Sequence, residues 1–124
     1  MNVTYTSGSD AGAAADAAAA ADVAVVVVAV TSSEGSDRPN LSLTGNQDDL
    51  VAAVLAKAAS KTIVVVRSPG AILMPWADDA KNIIASFMPG QEAGNALADV
   101  LFGVVNGGAR LPLSFPVKES DTWI

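Results

Sequence analysis

The sequence predicts an α/β fold, a three-layer α/β/α sandwich around a mainly parallel sheet. Three observations carry this. Short β-branched runs alternate with helix-forming stretches along the 124 residues. The run Val23 to Val30 is apolar at every position, as in strands of parallel sheets that are buried on both faces. A long polar loop, Thr31 to Gly45, follows that run directly, at the strand end where such sheets hold their ligands.

The elements follow in order. Val3 to Thr6 is a weak, short strand candidate. Ala11 to Ala21 is alanine-rich, with Asp10 in place to cap it, and reads as helix. Val23 to Val30 is a buried strand. Gln47 to Ser60 is an amphipathic helix with Leu50, Val51, Val54, Leu55 and Ala58 on one face. Asn46 is its expected N-cap, and Asp48 and Asp49 lie in the first turn, where the helix dipole favours them. Thr62 to Arg67 is a second buried strand, and Ser68-Pro69-Gly70 a turn. Trp76 to Lys81 is a short helix or turn, and Asn82 to Phe87 a third strand. Gln91 to Phe102 is a helix ended by Gly103. Leu111 to Phe115 contains Pro112 and can only be an edge strand.

Composition bounds the function. Hydrophobic residues make up 51% of the chain and charged residues 16%, enough apolar surface to order one domain. Acidic residues outnumber basic ones 13 to 7 with no basic stripe, which argues against a nucleic-acid surface. The longest apolar runs fall well short of the roughly 18 residues of a membrane-spanning helix. The first residues show no signal-peptide pattern. With no Cys and no His, the chain has no disulfide, no thiolate nucleophile and no Ser-His-Asp triad. No carboxylates have calcium-loop spacing. Ser7 to Gly12 holds two glycines in the wrong spacing for a dinucleotide-binding turn. Two N-x-S/T tripeptides, at Asn2 and Asn40, are short enough to arise by chance. Carboxylates, hydroxyls, amides and a few cations remain. In the Thr31 to Gly45 loop, strand-end position coincides with charged side chains: Glu34, Asp37 and Arg38.

Three stretches resemble glycoside hydrolase family 3, the β-glucosidases, β-xylosidases and their relatives. Ser32-Ser33-Glu34-Gly35-Ser36-Asp37-Arg38-Pro39-Asn40-Leu41 is similar to the family loop S-G-E-G-x-D-R-x-x-L. Met88 to Gly103 (MPGQEAGNALADVLFG) is similar to the P-G-Q-E-x-G-x-A-x-A-D-x-L-F-G signature. Asn106 to Pro116 (NGGARLPLSFP) resembles the N-P-S-G-R-L-P-x-T-F-P ending. All three stand in family order, and the resemblance runs from about Val3 to Pro116.

The resemblance implies a partial C-terminal sandwich domain over residues 1–116, with a loose tail over 117–124. In the family this domain follows a (β/α)-barrel that supplies an aspartate nucleophile. Neither that barrel nor the sandwich's usual opening strand is expected within these residues. The partners implied are therefore a carbohydrate substrate and a barrel domain or partner chain. Retaining glycosidases need two carboxyl groups about 5 to 5.5 Å apart, so no cofactor and no metal is expected. The family's acid/base position matches Glu34, which in this chain alone is expected to face water. Asp37 and Arg38 are the substrate-binding candidates. Arg38 could also pair with Asp37 or tether the loop, and this structural role is favoured over sugar contact. The family position after the Glu-Gly pair is often aromatic and is Ser36 here, which removes a stacking surface for a sugar ring.

Other residues read structurally. Gln91 and Glu92 open the last helix, and Gly94 would let that helix pack closely on the sheet. Gly107 and Gly108 should make their turn flexible. Trp76 and Trp123 are packing or interdomain residues. An open sheet edge and an uncovered apolar face would favour self-association, the basis of an alternative reading as a non-catalytic module.

Overall fold

The structure, a computed structural model, describes residues 2–122; Trp123 and the end of the 117–124 tail lie outside the described residues. Its elements are α1 (Ala11–Ala20), β1 (Ala24–Ala29), α2 (Gln47–Ala58), β2 (Thr62–Arg67), β3 (Asn82–Ala85) and α3 (Ala93–Leu101). Short 3-10 turns occupy Ala59–Lys61 and Glu119–Asp121. The strands form one parallel sheet in the order β1-β2-β3. Val26 lies opposite Val64 and Val28 opposite Val66. The α/β class and the parallel sheet are as the alternation predicted. No described helix is long and apolar enough to cross a membrane.

Local chemistry explains these elements. Asp10 caps α1: its Oδ1 accepts the Ala13 N–H at 3.0 Å. The buried side chains of α1 are Ala14, Ala15 and Ala18, small enough for the helix to lie close along α2. Valine-rich β1 and β2 suit a pleated, packed surface. Val26, Val28, Val64 and Val66 share one core with Val51, Val54, Leu55 and Ala58 of α2. Each fully buried aliphatic side chain contributes about 1.5–3 kcal/mol. The exposed Lys57–Asp16 ion pair between α2 and α1 is worth about 0.2–1 kcal/mol. The valine core, not that ion pair, holds α2 on the sheet.

Helix α3 ends in a Schellman motif. Gly103 takes φ +71°, its N–H donates to the Val100 carbonyl at 3.2 Å, and the Val104 N–H donates to the Asp99 carbonyl at 2.8 Å. A cleft of about 530 Å³ separates α3 from β3, lined by Ile83, Ile84, Ala96, Leu97, Val100 and Phe115 among others. No residue of α3 is fully buried.

Several expectations are corrected. Val3 to Thr6 is not a strand; no described residue pairs with it, and Val3 and Tyr5 are 73% and 86% exposed. β1 is buried on one face only, because Val25 and Val27 on the other remain 45% and 50% exposed. Asn46 does not cap α2 with its side chain; its Nδ2 donates instead to the carbonyls of Gly8 and Ser9. Trp76 to Lys81, expected as a short helix or a turn, takes the turn form. β3 stops at Ala85, since Phe87 enters the left-handed region at φ 47° and packs its ring 6.3 Å from that of Phe115. Helix α3 begins at Ala93, two residues after the expected start. Leu111 to Phe115 is irregular. A Cβ at Gly94 would meet nothing within 4 Å, so close packing does not require that glycine.

Ile72 is fully buried in the β2–β3 connection and belongs to the core. Ile72→Ala is expected to lower unfolding free energy by about 2–5 kcal/mol. Val25→Thr on the open face should stay within about 0.5 kcal/mol. Urea denaturation of both variants checks this contrast.

Candidate functional site

β1 delivers the chain to the carboxyl edge of the sheet, and the loop from Thr31 to Gly45 starts there. At its tip, Ser33 and Ser36 form an isolated bridge, with the Ser36 N–H donating to the Ser33 carbonyl at 3.3 Å. Glu34 and Gly35 are the two residues between. Gly35 has φ +74°, the left-handed conformation that glycine takes without steric cost and that the third residue of a type II turn requires. Glu34 is thus held out at the tip of a tight turn, and it is exposed.

Beside the turn lies an open hollow of about 430 Å³. Ser32, Ser33, Ser36, Asp37 and Arg38 bring hydroxyls, a carboxylate and a guanidinium to it. Leu41, Pro69 and Gly70 complete the wall. The structure therefore brings Asp37 and Arg38 into one hollow, whereas Glu34 is not among its lining residues. Pro69 and Gly70 follow β2, the next strand in the sheet. The rule that ligands gather at strand ends applies to β2 as it does to β1 and points to them.

Arg38 tethers the loop. Its Nη2 donates to the Ala71 carbonyl at 2.7 Å, while Nη1 is buried without a hydrogen-bond partner. The Leu73 N–H donates to the Leu41 carbonyl at 2.9 Å, a second tie between this loop and the β2–β3 connection. Asp37 forms no ion pair with Arg38 among the described residues. Of the two structural roles open to Arg38, the tether is present and the pairing with Asp37 is not seen among the described residues.

Trp76 and Glu92 have structural partners. Trp76 is 3% exposed, and its Nε1 donates to Asp48 Oδ1 at 2.8 Å, which makes it a packing residue. Glu92 precedes α3 and accepts from Asn95 Nδ2 at 2.7 Å. Asp78 and Asp79 are exposed. Among the described residues no three acidic groups lie close enough to hold a metal ion.

The model of the glycosyl hydrolase family 3 C-terminal domain matches residues 5–124. The chain belongs to this family. A probable β-glucosidase J of Aspergillus fumigatus is 51% identical over 84 residues, covering 68% of this chain and 10% of that protein. A probable β-glucosidase H of Aspergillus clavatus is 50% identical over 84 residues, with the same coverage of 68% and 10%. The crystal structure of a β-glucosidase from Kluyveromyces marxianus in complex with glucose superposes with a TM-score of 0.85 at 34% identity. That match covers 97% of this chain and 15% of the yeast protein. A family 3 β-glucosidase from Neurospora crassa gives a TM-score of 0.80 at 34% identity, over 89% of this chain and 14% of its own. The family 3 chain thus spans about a tenth of the length of these curated relatives.

In this family 3 domain the Arg38 tether predicts a local effect. Arg38→Ala removes a charge-assisted hydrogen bond, and the expected loss of stability is about 1–3 kcal/mol. Amide exchange at Leu73, measured by NMR, should accelerate in the variant, while exchange in α1 changes only with global stability.

Proposed function

We propose that this chain carries the general acid/base of a retaining β-glycosidase of β-glucosidase type, and that Glu34 is that residue. The observation that carries the reading is the strand-end turn: a glycine-bent loop displays Glu34 beside a hollow lined by Asp37, Arg38 and three serines. Membership of the family and the β-glucosidase names of the relatives supply the reaction class. The nucleophile is assigned to an aspartate of a barrel domain outside this chain.

In this reading the nucleophile attacks the anomeric carbon while the Glu34 carboxyl gives its proton to the departing glycosidic oxygen. The Glu34 carboxylate then takes a proton from water, and that water displaces the enzyme's carboxylate from the sugar. A group that serves as acid first must be protonated near working pH, which takes burial or a neighbouring negative charge. Glu34 is exposed in this chain, so the reading assigns that environment to the barrel domain and the bound sugar. Asp37 and Arg38 are assigned to substrate binding: a carboxylate accepts from sugar hydroxyls and a guanidinium donates to them.

The expected outcome is clear-cut. The chain alone is inactive on aryl β-glucosides, and fusion to a family barrel restores hydrolysis. Glu34→Ala in the fusion lowers kcat about 10²–10⁴-fold, most strongly for substrates whose leaving group needs a proton. Full activity after Glu34→Ala would remove Glu34 from the mechanism.

A second reading, a self-associating module without catalysis, rests on the β1 edge. β1 is an edge strand of the sheet, and its own Val25 and Val27 are half-exposed on the open face. Such an edge invites pairing unless a charge interrupts it. Under this reading light scattering at high micromolar concentration finds dimers or larger species, and Val27→Lys shifts them toward monomer. A sharp monomer peak for the unmodified chain contradicts it.

A further inference from the structure

We propose that Gln47 is a positioning residue for the Glu34 loop, acting as a side-chain clamp across the loop's base. The inference rests on the acid/base reading of Glu34 for its catalytic meaning, but its geometry stands apart from that reading.

Successive residues of a parallel strand direct their N–H and C=O groups to opposite sides. The Val30 N–H donates to the Arg67 carbonyl of β2 at 3.0 Å. Ala29, one residue earlier, therefore turns its backbone groups away from β2, toward the open edge of the sheet. Gln47 satisfies both of them. The Ala29 N–H donates to Gln47 Oε1 at 2.7 Å, and Gln47 Nε2 donates to the Ala29 carbonyl at 3.0 Å. The side-chain amide thus pairs with Ala29 as the peptide of a neighbouring strand would. The same Nε2 lies 2.9 Å from the Thr44 carbonyl and 3.2 Å from Thr44 Oγ1.

Ala29 ends β1 just before the loop, and Thr44 lies at the loop's far end. One side chain at the start of α2 therefore joins both ends of the segment that carries Glu34. Arg38 and the Leu41–Leu73 bond fix the middle of the segment. The Ser33–Ser36 turn projects beyond all these ties, so its direction is set by how firmly its base is held. Both faces of the amide are used. Glutamate lacks the Nε2 donors and would set a negative oxygen against two carbonyls. Methionine keeps the length and makes none of the bonds.

The test uses Gln47→Met and Gln47→Glu, each in this chain and in its fusion to a family barrel. Circular dichroism confirms folding of each variant. In the chain, amide exchange at Ala29 should rise at least about tenfold beyond any change in the core strands. In the fusion, kcat should fall about tenfold with KM changed less. The loss should be larger for aryl β-glucosides with poor leaving groups than for those with good ones, a dependence that simple loss of stability does not create. Unchanged exchange at Ala29 overturns the clamp. Faster exchange with unchanged kcat overturns its positioning role. If Glu34→Gln keeps full activity while Gln47→Met loses kcat, the positioning role of Gln47 stands, and the acid/base reading of Glu34 is what fails.

Discussion

The parallel pairing of β1 with β2 determines where every polar group of the candidate site falls. Their register places Val26 and Val28 against Val64 and Val66 under α2. Both strands then end at the same edge of the sheet, and Ser32, Ser33, Ser36, Asp37 and Arg38 meet Pro69 and Gly70 there. Shifting one strand by a single residue would turn its buried valines toward the open face. It would also break the pairing of Ala29 with Gln47. The site is therefore a consequence of apolar packing one layer below it.

Polar side chains then refine what the core sets. Gln47 closes the loop base, Arg38 holds its middle, and the Ser33–Ser36 turn gives its tip a fixed bend. Each of these bonds contributes only about 0.5–3 kcal/mol. Their effect is geometric: they reduce the arrangements open to a 15-residue polar segment running from Thr31 to Gly45. A catalytic carboxyl benefits from such restraint, because proton transfer requires hydrogen-bond reach of the reacting oxygen. The proposal that Glu34 takes that role rests on family membership and the strand-end turn.

The parts legible in the sequence were those governed by local pattern. Alternation of valine runs and helices gave the α/β class. Asp10 marked the start of α1, and the buried face of α2 followed from helical spacing. The strand-end rule pointed to the loop that brings Asp37 and Arg38 into one hollow. The parts that were not legible depend on what lies alongside in space. The Val23 to Val30 run reads as buried on both faces, yet no described residue covers Val25 and Val27 fully. Asn46 has the chemistry of a cap and spends it on Gly8 and Ser9. Gln47 looks like an ordinary first-turn residue, because its partner Ala29 lies 18 positions away. Phe87 leaves the strand for a contact with Phe115 that no local pattern encodes.

In the proposed function Glu34 is one of the two carboxyl groups of a retaining pair. A crystal structure of this chain joined to a nucleophile-bearing barrel, with a sugar bound, measures it directly. The Glu34 carboxyl is expected about 5–5.5 Å from the nucleophile's carboxyl, across the anomeric carbon. A separation in the roughly 6.5–9.5 Å range of inverting pairs or beyond it, or another carboxyl standing at the glycosidic oxygen, would contradict the retaining role of Glu34.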